Sequence, residues 1–219
     1  MQIGSDQCQW CAALVQGLSS KAIQLTSQQL DQLFAHAQSL VEWNRKINLT
    51  AITDPGQMVV KHYIDTLLPS GHIPFEGDLL DMGTGGGFPG IPLKILRPDQ
   101  PMTLIDASRK KINFIKHVIR QLDLKNIVAL QARAEQMGKD VEYSGKFQVI
   151  VSRAFTQLNH IVKMALPLLA DDGVIVTYQG PDEQSRKLMP EHIPHPKVST
   201  VAYHLPGSSG RRTLVLVKP

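Results

Sequence analysis

The sequence predicts an α/β fold: a doubly wound, mostly parallel sheet of seven strands with a helical extension at the N-terminus. Three observations predict it. Five short apolar runs, at residues 79–82, 102–105, 127–130, 147–151 and 174–178, are interleaved with helical patterns. A glycine-rich turn, Gly83-Thr84-Gly85-Gly86-Gly87, follows the first run directly. Two further runs, 198–205 and 213–217, are joined by Gly207 to Gly210, which puts an antiparallel pair at one side of the sheet.

The elements follow in order. Residues 1–25 are weakly patterned and read as a frayed or short helical stretch. Thr26 with Gln29 forms a capping-box pattern, and Leu30, Leu33, Phe34, Ala37, Leu40 and Val41 recur at helical spacing up to about Trp43 to Lys46. Residues 47–52 make a loop. Asp54-Pro55 starts a second helix, with Met58, Val59, Tyr63, Ile64, Leu67 and Leu68 on its apolar face and Pro69 and Gly71 ending it. After the glycine turn, residues 91–96 are helical. Ser108 is positioned to cap a helix that buries Ile112, Phe114, Ile115, Val118, Ile119 and Leu122. Residues 132–137 are a loop or short helix. Thr156 begins a helix, Asp172-Gly173 turns into the fifth strand, and residues 184–189 have some helical character before an irregular, proline-containing lead-in at Pro190, Pro194 and Pro196.

With 219 residues, of which 42% are hydrophobic, the chain can bury the core of one globular unit. A net charge of +4 permits a polyanionic partner without requiring one. No apolar run is long enough for a membrane span and no signal segment is evident, so a cytoplasmic location without a membrane partner is expected. Cys8 and Cys11 form a Cys-x-x-Cys pair with no second pair to complete a metal site. They read as incidental thiols of a reducing compartment, and no metal is expected.

The glycine turn carries the functional signal. It fits two patterns: Gly85, Gly87 and Gly90 have dinucleotide spacing, whereas Gly83, Gly85 and Gly87 follow Asp81 as Asp-x-Gly-x-Gly-x-Gly. Asp106 ends the next strand, where a carboxylate can accept both hydroxyls of a ribose, or else cap the following helix. Asp81, just ahead of the loop, would repel a pyrophosphate and attract a sulfonium, which favours S-adenosylmethionine over a nicotinamide cofactor. The alternative is a carboxylate bonded to loop amides. Ala134 and Glu135 follow the third strand, where an adenine edge would lie.

The run Asp81 to Pro92, with Ser152-Arg153-Ala154-Phe155, resembles the bacterial 16S ribosomal RNA guanine-N7 methyltransferases of the glucose-inhibited-division B type. Trp43-Asn44, Asn48-Leu49-Thr50, His62-Tyr63-Ile64-Asp65, Asp172-Gly173 and the strand from Arg212 to Lys218 are similar to that family's pattern as well. The resemblance runs from about residue 26 to the end, and one departure is Gly86, where some members look to have proline. It implies a class I S-adenosylmethionine-dependent, Rossmann-like methyltransferase domain over residues 73–219, with residues 1–72 a helical region packed on it. It further implies cofactor contacts at Gly83, Phe88, Ala134, Glu135 and Arg153, to which Asp81, Gly85 and Asp106 are added from the loop itself.

The expected reaction is methylation of N7 of one guanine in 16S ribosomal RNA, free or in the small subunit, by a monomer. N7 has a lone pair and no proton, so no general base is needed and in-line alignment supplies much of the rate. Arg153 is the candidate for positioning, as a cofactor or phosphate contact or as a structural ion pair. Arg109, Lys110, Lys111, Lys116 and Arg120, with Arg45, Lys46, Arg211 and Arg212, make an RNA surface plausible. His62 reads equally as a core residue or a substrate-site residue. The alternatives are a small-molecule methyltransferase and a non-catalytic, cofactor-sensing RNA-binding or assembly protein.

Overall fold

A computed structural model describes residues 7–21, 23–153, 158–180, 196–207 and 211–219. Its sheet contains β1 (Leu79–Met82), β2 (Met102–Asp106), β3 (Ile127–Gln131), β4 (Phe147–Ser152), β5 (Leu169–Gln179), β6 (Lys197–His204) and β7 (Arg211–Lys218). The spatial order is β3-β2-β1-β4-β5-β7-β6. The pairs from β3 through β5 are parallel, and β7 runs antiparallel to both β5 and β6. The chain order reverses between β1 and β4. The carboxyl ends of β1 and β4 at this reversal are the usual ligand position in such sheets.

Alternating side chains feed two cores, as buried parallel strands require. Leu79, Val149, Val151, Val174 and Val176 face one cluster, whereas Leu80, Ile150 and Ile175 face the other. The first face is covered by α5 (Gly90–Leu96), α6 (Arg109–Gln121) and the N-terminal helices. The second is covered by α7 (Ala134–Met137) and α8 (Leu158–Ala165).

The N-terminal region is more ordered than its pattern suggests. α1 (Gln7–Leu18) buries Trp10, Leu14 and Leu18, an i, i+4, i+8 stripe that small and polar neighbours obscure. The Trp10 ring lies 5.5 Å from Phe34 and 5.0 Å from Tyr63, both edge-on. α2 (Ser27–Asn44) starts at Thr26 with the expected reciprocal capping box. The next helix starts at Asp54, which caps Gln57 N–H, but it is not uniformly α. Between α3 (Pro55–Met58) and α4 (Asp65–Leu67) the stretch Val59–Ile64 is π-helical. Tyr203 and Tyr178 donate to the Asp65 and Thr66 carbonyl oxygens, tying this helix to the far strands.

Two further expectations change. β5 starts at Leu169 rather than after Gly173: pairing runs from Phe147↔Leu169 to Val149↔Val174, so the additional residues bulge out of the ladder. The Ser108 side chain does not cap α6; the Asp106 carboxylate takes the Ser108 N–H instead, at 2.8 Å. The expected helix start at Thr156, the helical stretch at 184–189, Pro190, Pro194 and residues 208–210 of the last turn lie outside the described residues.

Trp10→Ala removes the anchor of α1 and should lower unfolding stability by about 3 kcal/mol or more in urea titration. A loss below about 1 kcal/mol would mean that α1 is not docked in solution.

Candidate functional site

The residues predicted from the glycine turn and its resemblance cluster at the C-terminal edge of the parallel strands. Gly83, Gly85 and Gly87 all have positive φ, at 80°, 56° and 92°. A Cβ on Gly83 would meet no heavy atom within 4 Å, so bare backbone faces open space there. Gly90 has another role. A Cβ at that position would come within 2.6 Å of Asp81 Oδ2 and 2.9 Å of Leu104, so its glycine permits α5 to pack tightly on β1 and β2. The two glycine patterns are therefore both present, with different duties.

The loop satisfies most of its own donors. Gly83 and Thr84 N–H donate to Ile105 O at 3.0 and 2.9 Å, and Gly87 and Phe88 N–H donate to Thr84 O at 2.8 and 2.9 Å. Gly85 N–H donates to Asp106 Oδ2 at 3.1 Å. A pyrophosphate cradle needs these amides aimed outward, so the geometry disfavours a dinucleotide.

Asp81 lies beneath the loop with no exposed surface. Its Oδ2 accepts the Gly90 N–H at 2.9 Å, giving the start of α5 its negative partner. Of the two readings of this acid, the carboxylate bonded to loop amides is the one the structure displays. Any effect on a ligand must act as charge across the loop. Burial pushes its pKa up to about 7, offset in part by the Thr84 hydroxyl, the Gly90 amide and the Arg153 charge. Asp81 Oδ1 and Thr84 Oγ1 are nonetheless buried without a well-formed hydrogen bond.

Asp106 keeps its place at the end of β2, with its side chain 11% exposed and Lys111 Nζ at 3.6 Å. Both its oxygens already accept a backbone N–H, and each retains a second lone pair. Ala134 is buried and Glu135 exposed at the start of α7, across the end of β2 from the loop: Ala132 N–H donates to Asp106 O at 3.3 Å.

Phe88 and Arg153 belong to a second group on the other side of the loop. The Phe88 ring is buried and stacks on His62 at 4.6 Å and 22°. The Arg153 guanidinium lies 4.9 Å from the Phe88 ring centre. His62, left open by the sequence, has both ring nitrogens bonded: Nδ1 to Arg153 Nη2 at 2.9 Å and Nε2 to Thr50 Oγ1 at 2.8 Å. Burial and the arginine charge lower its pKa to about 3, so the ring is neutral. Phe88 is thus largely covered by protein, and a ligand would meet its edge at most.

His36 was not singled out in the sequence. It is fully buried on α2, and its Nε2–H donates to Gly86 O at 3.0 Å while Nδ1 accepts from Tyr63 OH at 3.0 Å. Burial lowers its pKa to about 4, which suits this neutral tautomer. A histidine within the stripe Leu33, Phe34, Ala37 and Leu40 was the available signal, since a polar ring on an apolar face needs partners. Among the described residues no group of three His, Cys, Asp or Glu side chains could hold a metal ion.

Strand order, switch point and the glycine loop at the end of β1 define a class I methyltransferase fold. A solved S-adenosylmethionine-dependent methyltransferase from Aquifex aeolicus shares that fold, with a TM-score of 0.54 over 76% of this chain and 94% of that one, at 13% identity. The model of the family described as rRNA small subunit methyltransferase G matches residues 29–204. Two relatives named ribosomal RNA small subunit methyltransferase G agree with it. One, from Geobacter sp. (strain M21), is 39% identical over 93% of this chain and 95% of its own length. The other, from Lachnoclostridium phytofermentans, is 36% identical over 94% and 88%. The chain belongs to this family.

The buried acid predicts a pH dependence. The folded-state pKa of Asp81 lies above its unfolded value, so the fold keeps a proton that the unfolded chain has lost, and this contribution to stability fades as pH rises through about 7. His36 has the opposite sign: its neutral form favours the fold above about pH 6.5, and this is lost as pH falls toward 4. Comparing Asp81→Asn with the parent protein isolates the acid, because both keep His36. In urea titrations without ligand, the stability of the variant relative to the parent should rise by about 2 kcal/mol from pH 5 to 7 and then level off. Parallel pH curves would show that Asp81 does not titrate as a buried group.

Proposed function

We propose that this chain transfers a methyl group from S-adenosylmethionine to N7 of a guanine in 16S ribosomal RNA. The carrying observation is the Gly83 opening: exposed, bare backbone at the switch point, with the Asp106 carboxylate one strand away. The names of the relatives support the ribosomal substrate. The donor set fits the cofactor. Asp106 can accept ribose hydroxyls, the ionised form of the buried Asp81 favours a cation, and Gly83 and Gly85 let the cofactor approach the backbone. Ala134 and Glu135 would border the adenine, and Phe88 and Arg153 the methyl-bearing end.

Held by these residues, S-adenosylmethionine would supply an electrophilic methyl group for the N7 lone pair, with its thioether as the leaving group. The residues around the edge suit a reaction without proton transfer. His62 and His36 are neutral and have both nitrogens occupied, so neither is poised as a base. Arg153, with its side chain 18% exposed, is a cation at that edge.

Basic side chains support a polyanionic acceptor. Arg109, Lys110, Lys116 and Arg120 are exposed along α6, and Arg45 and Lys46 after α2. Arg211 is exposed, but Arg212 is turned toward Asp65, with 3.8 Å between Nε and Oδ1, and Lys111 toward Asp106. These two make weaker RNA contacts than charge counting suggests. An exposed basic rim favours RNA over a small-molecule acceptor. A cytoplasmic monomer is the form proposed.

The test is transfer of tritiated methyl to small-subunit RNA from cells lacking the protein, followed by nucleoside mapping. Label in one 7-methylguanosine is expected. Label in a metabolite, or cofactor and RNA binding without transfer, would replace this reading with one of the two alternatives. Gly83→Val should weaken cofactor binding at least about tenfold by filling the opening, and cost about 1–2 kcal/mol of stability from its positive φ. Unchanged affinity in calorimetry would remove the loop from the site. Asp81→Asn should narrow the preference for S-adenosylmethionine over its uncharged demethylated product; an unaltered ratio would show that the charge of Asp81 is not felt.

A further inference from the structure

The π-helical stretch Val59–Ile64 changes which backbone groups are free. In an α-helix the Asp65 N–H would bond Lys61 O. Here it bonds Val60 O and His62 O instead. Lys61 O is left without that partner, and Arg153 Nη1 donates to it at 3.1 Å. The next residue, His62, presents Nδ1 to the other terminal nitrogen of the same guanidinium at 2.9 Å. Asp65 Oδ2 lies 3.9 Å from Nη1, close enough for charge attraction but not for a hydrogen bond. One helical irregularity thus offers a carbonyl, an imidazole and a carboxylate to a single arginine from another part of the chain.

The hydrogen bonds also determine the state of the imidazole. An arginine only donates, so His62 Nδ1 must be unprotonated and the ring proton sits on Nε2. That proton is directed at Thr50 Oγ1, at 2.8 Å. Thr50 Oγ1 additionally accepts the Ile52 N–H at 3.0 Å, and the Thr50 backbone is held by Asn44. A line of contacts therefore runs from the 45–54 loop through His62 to Arg153.

We infer that His62, with the carbonyl that the π-turn frees at Lys61, is a positioning device for Arg153, fixing its guanidinium at the end of β4 where the methyl acceptor arrives. This rests on the methyl-transfer reading of the site. Two hydrogen bonds at the terminal nitrogens and the nearby Phe88 ring restrict the rotamers of a long side chain that would otherwise sample many. His62 itself touches no reacting atom in this scheme and acts through Arg153.

A double-mutant cycle tests it on the full-length protein. His62→Phe keeps an aromatic ring for Phe88 and removes the acceptor, and should lower kcat on the order of 10- to 100-fold, the scale of a misaligned reactive geometry. His62→Asn puts an oxygen near the Nδ1 position and should recover activity to within about fivefold of the parent. In an Arg153→Ala background, His62→Phe should change kcat by less than about twofold, because the group it positions is gone. Equal losses in both backgrounds, or a parent-like rate for His62→Phe, would overturn the proposal. A second readout does not need turnover. Nitrogen-15 NMR of labelled histidine should show His62 protonated at Nε2 only, with its Nδ1 resonance displaced by Arg153→Ala. An Nδ1 signal indifferent to Arg153 overturns the geometry, whereas a parent protein that fails to methylate RNA but shows the coupled signal overturns only the functional reading.

Discussion

The bond from the Gly90 amide to the Asp81 carboxylate is the constraint on which the site depends. It joins the end of β1 to the start of α5 across the loop, through a group with no access to water. Chain direction leaves little choice here. A helix that starts directly after a glycine turn presents unpaired N–H groups, and these require an acceptor. Supplying it from the strand beneath keeps the loop short and its outer surface free of side chains. The loop is then held from two other directions, by Ile105 O on β2 and by His36 on α2. The N-terminal helices are accordingly part of the machinery: without α2, Gly86 O loses the bond it accepts from His36.

Much of this was legible in the sequence, for identifiable reasons. Strands buried on both faces read as short apolar runs, and the Thr26 and Asp54 caps depend on local spacing alone, so β1 to β4 and both helix starts were found within a residue or two. Asp81, Gly83, Gly85 and Asp106 stand out in the sequence because they lie at or just after strand ends. Less legible was anything decided by packing between distant segments. Nothing local says that Asp81 faces inward to Gly90, or that Phe88 is covered by His62 and Tyr63. The π-turn was invisible because an apolar stripe at Met58, Val59, Tyr63 and Ile64 suits either helix. α1 is hard to read in the sequence because three buried residues among cysteines, glutamines and alanines carry a weak periodic signal.

Net charge is a blunt guide for the same reason. Lys94 is 1% exposed, and its ammonium donates to the Pro98, Gln100 and Asn126 carbonyls at 2.7, 2.7 and 3.2 Å. Arg97 is 3% exposed and donates to Pro74 O and Ile73 O, each at 2.9 Å, and to Ser70 O. Both sit near the N-terminal ends of β2 and β3, opposite the site. They satisfy loop carbonyls that would otherwise be buried without donors. Two of the chain's positive charges thus serve folding and have no part in any polyanion contact. Exposed positive charge, by contrast, includes Arg109, Lys110, Lys116 and Arg120 on α6 and Arg45 and Lys46 after α2.

The character of the edge suits the lone-pair acceptor proposed above. Where a substrate must lose a proton, a site requires a group that is free and titrates near neutrality. The histidines here are the reverse: His36 and His62 are buried, neutral and bonded at both nitrogens, so their value lies in direction. Arg153 is likewise held through two of its nitrogens by a backbone carbonyl and an imidazole. Such groups lose little conformational entropy when a substrate arrives, because the fold has already ordered them. For a displacement whose barrier is governed by alignment, a rigid rim around an open loop is the appropriate investment of polar groups. The same rim explains why the segment ahead of the sheet, which contributes neither a strand nor a loop glycine to the site, carries His36 and His62 on its helices and Thr50 on the loop between them.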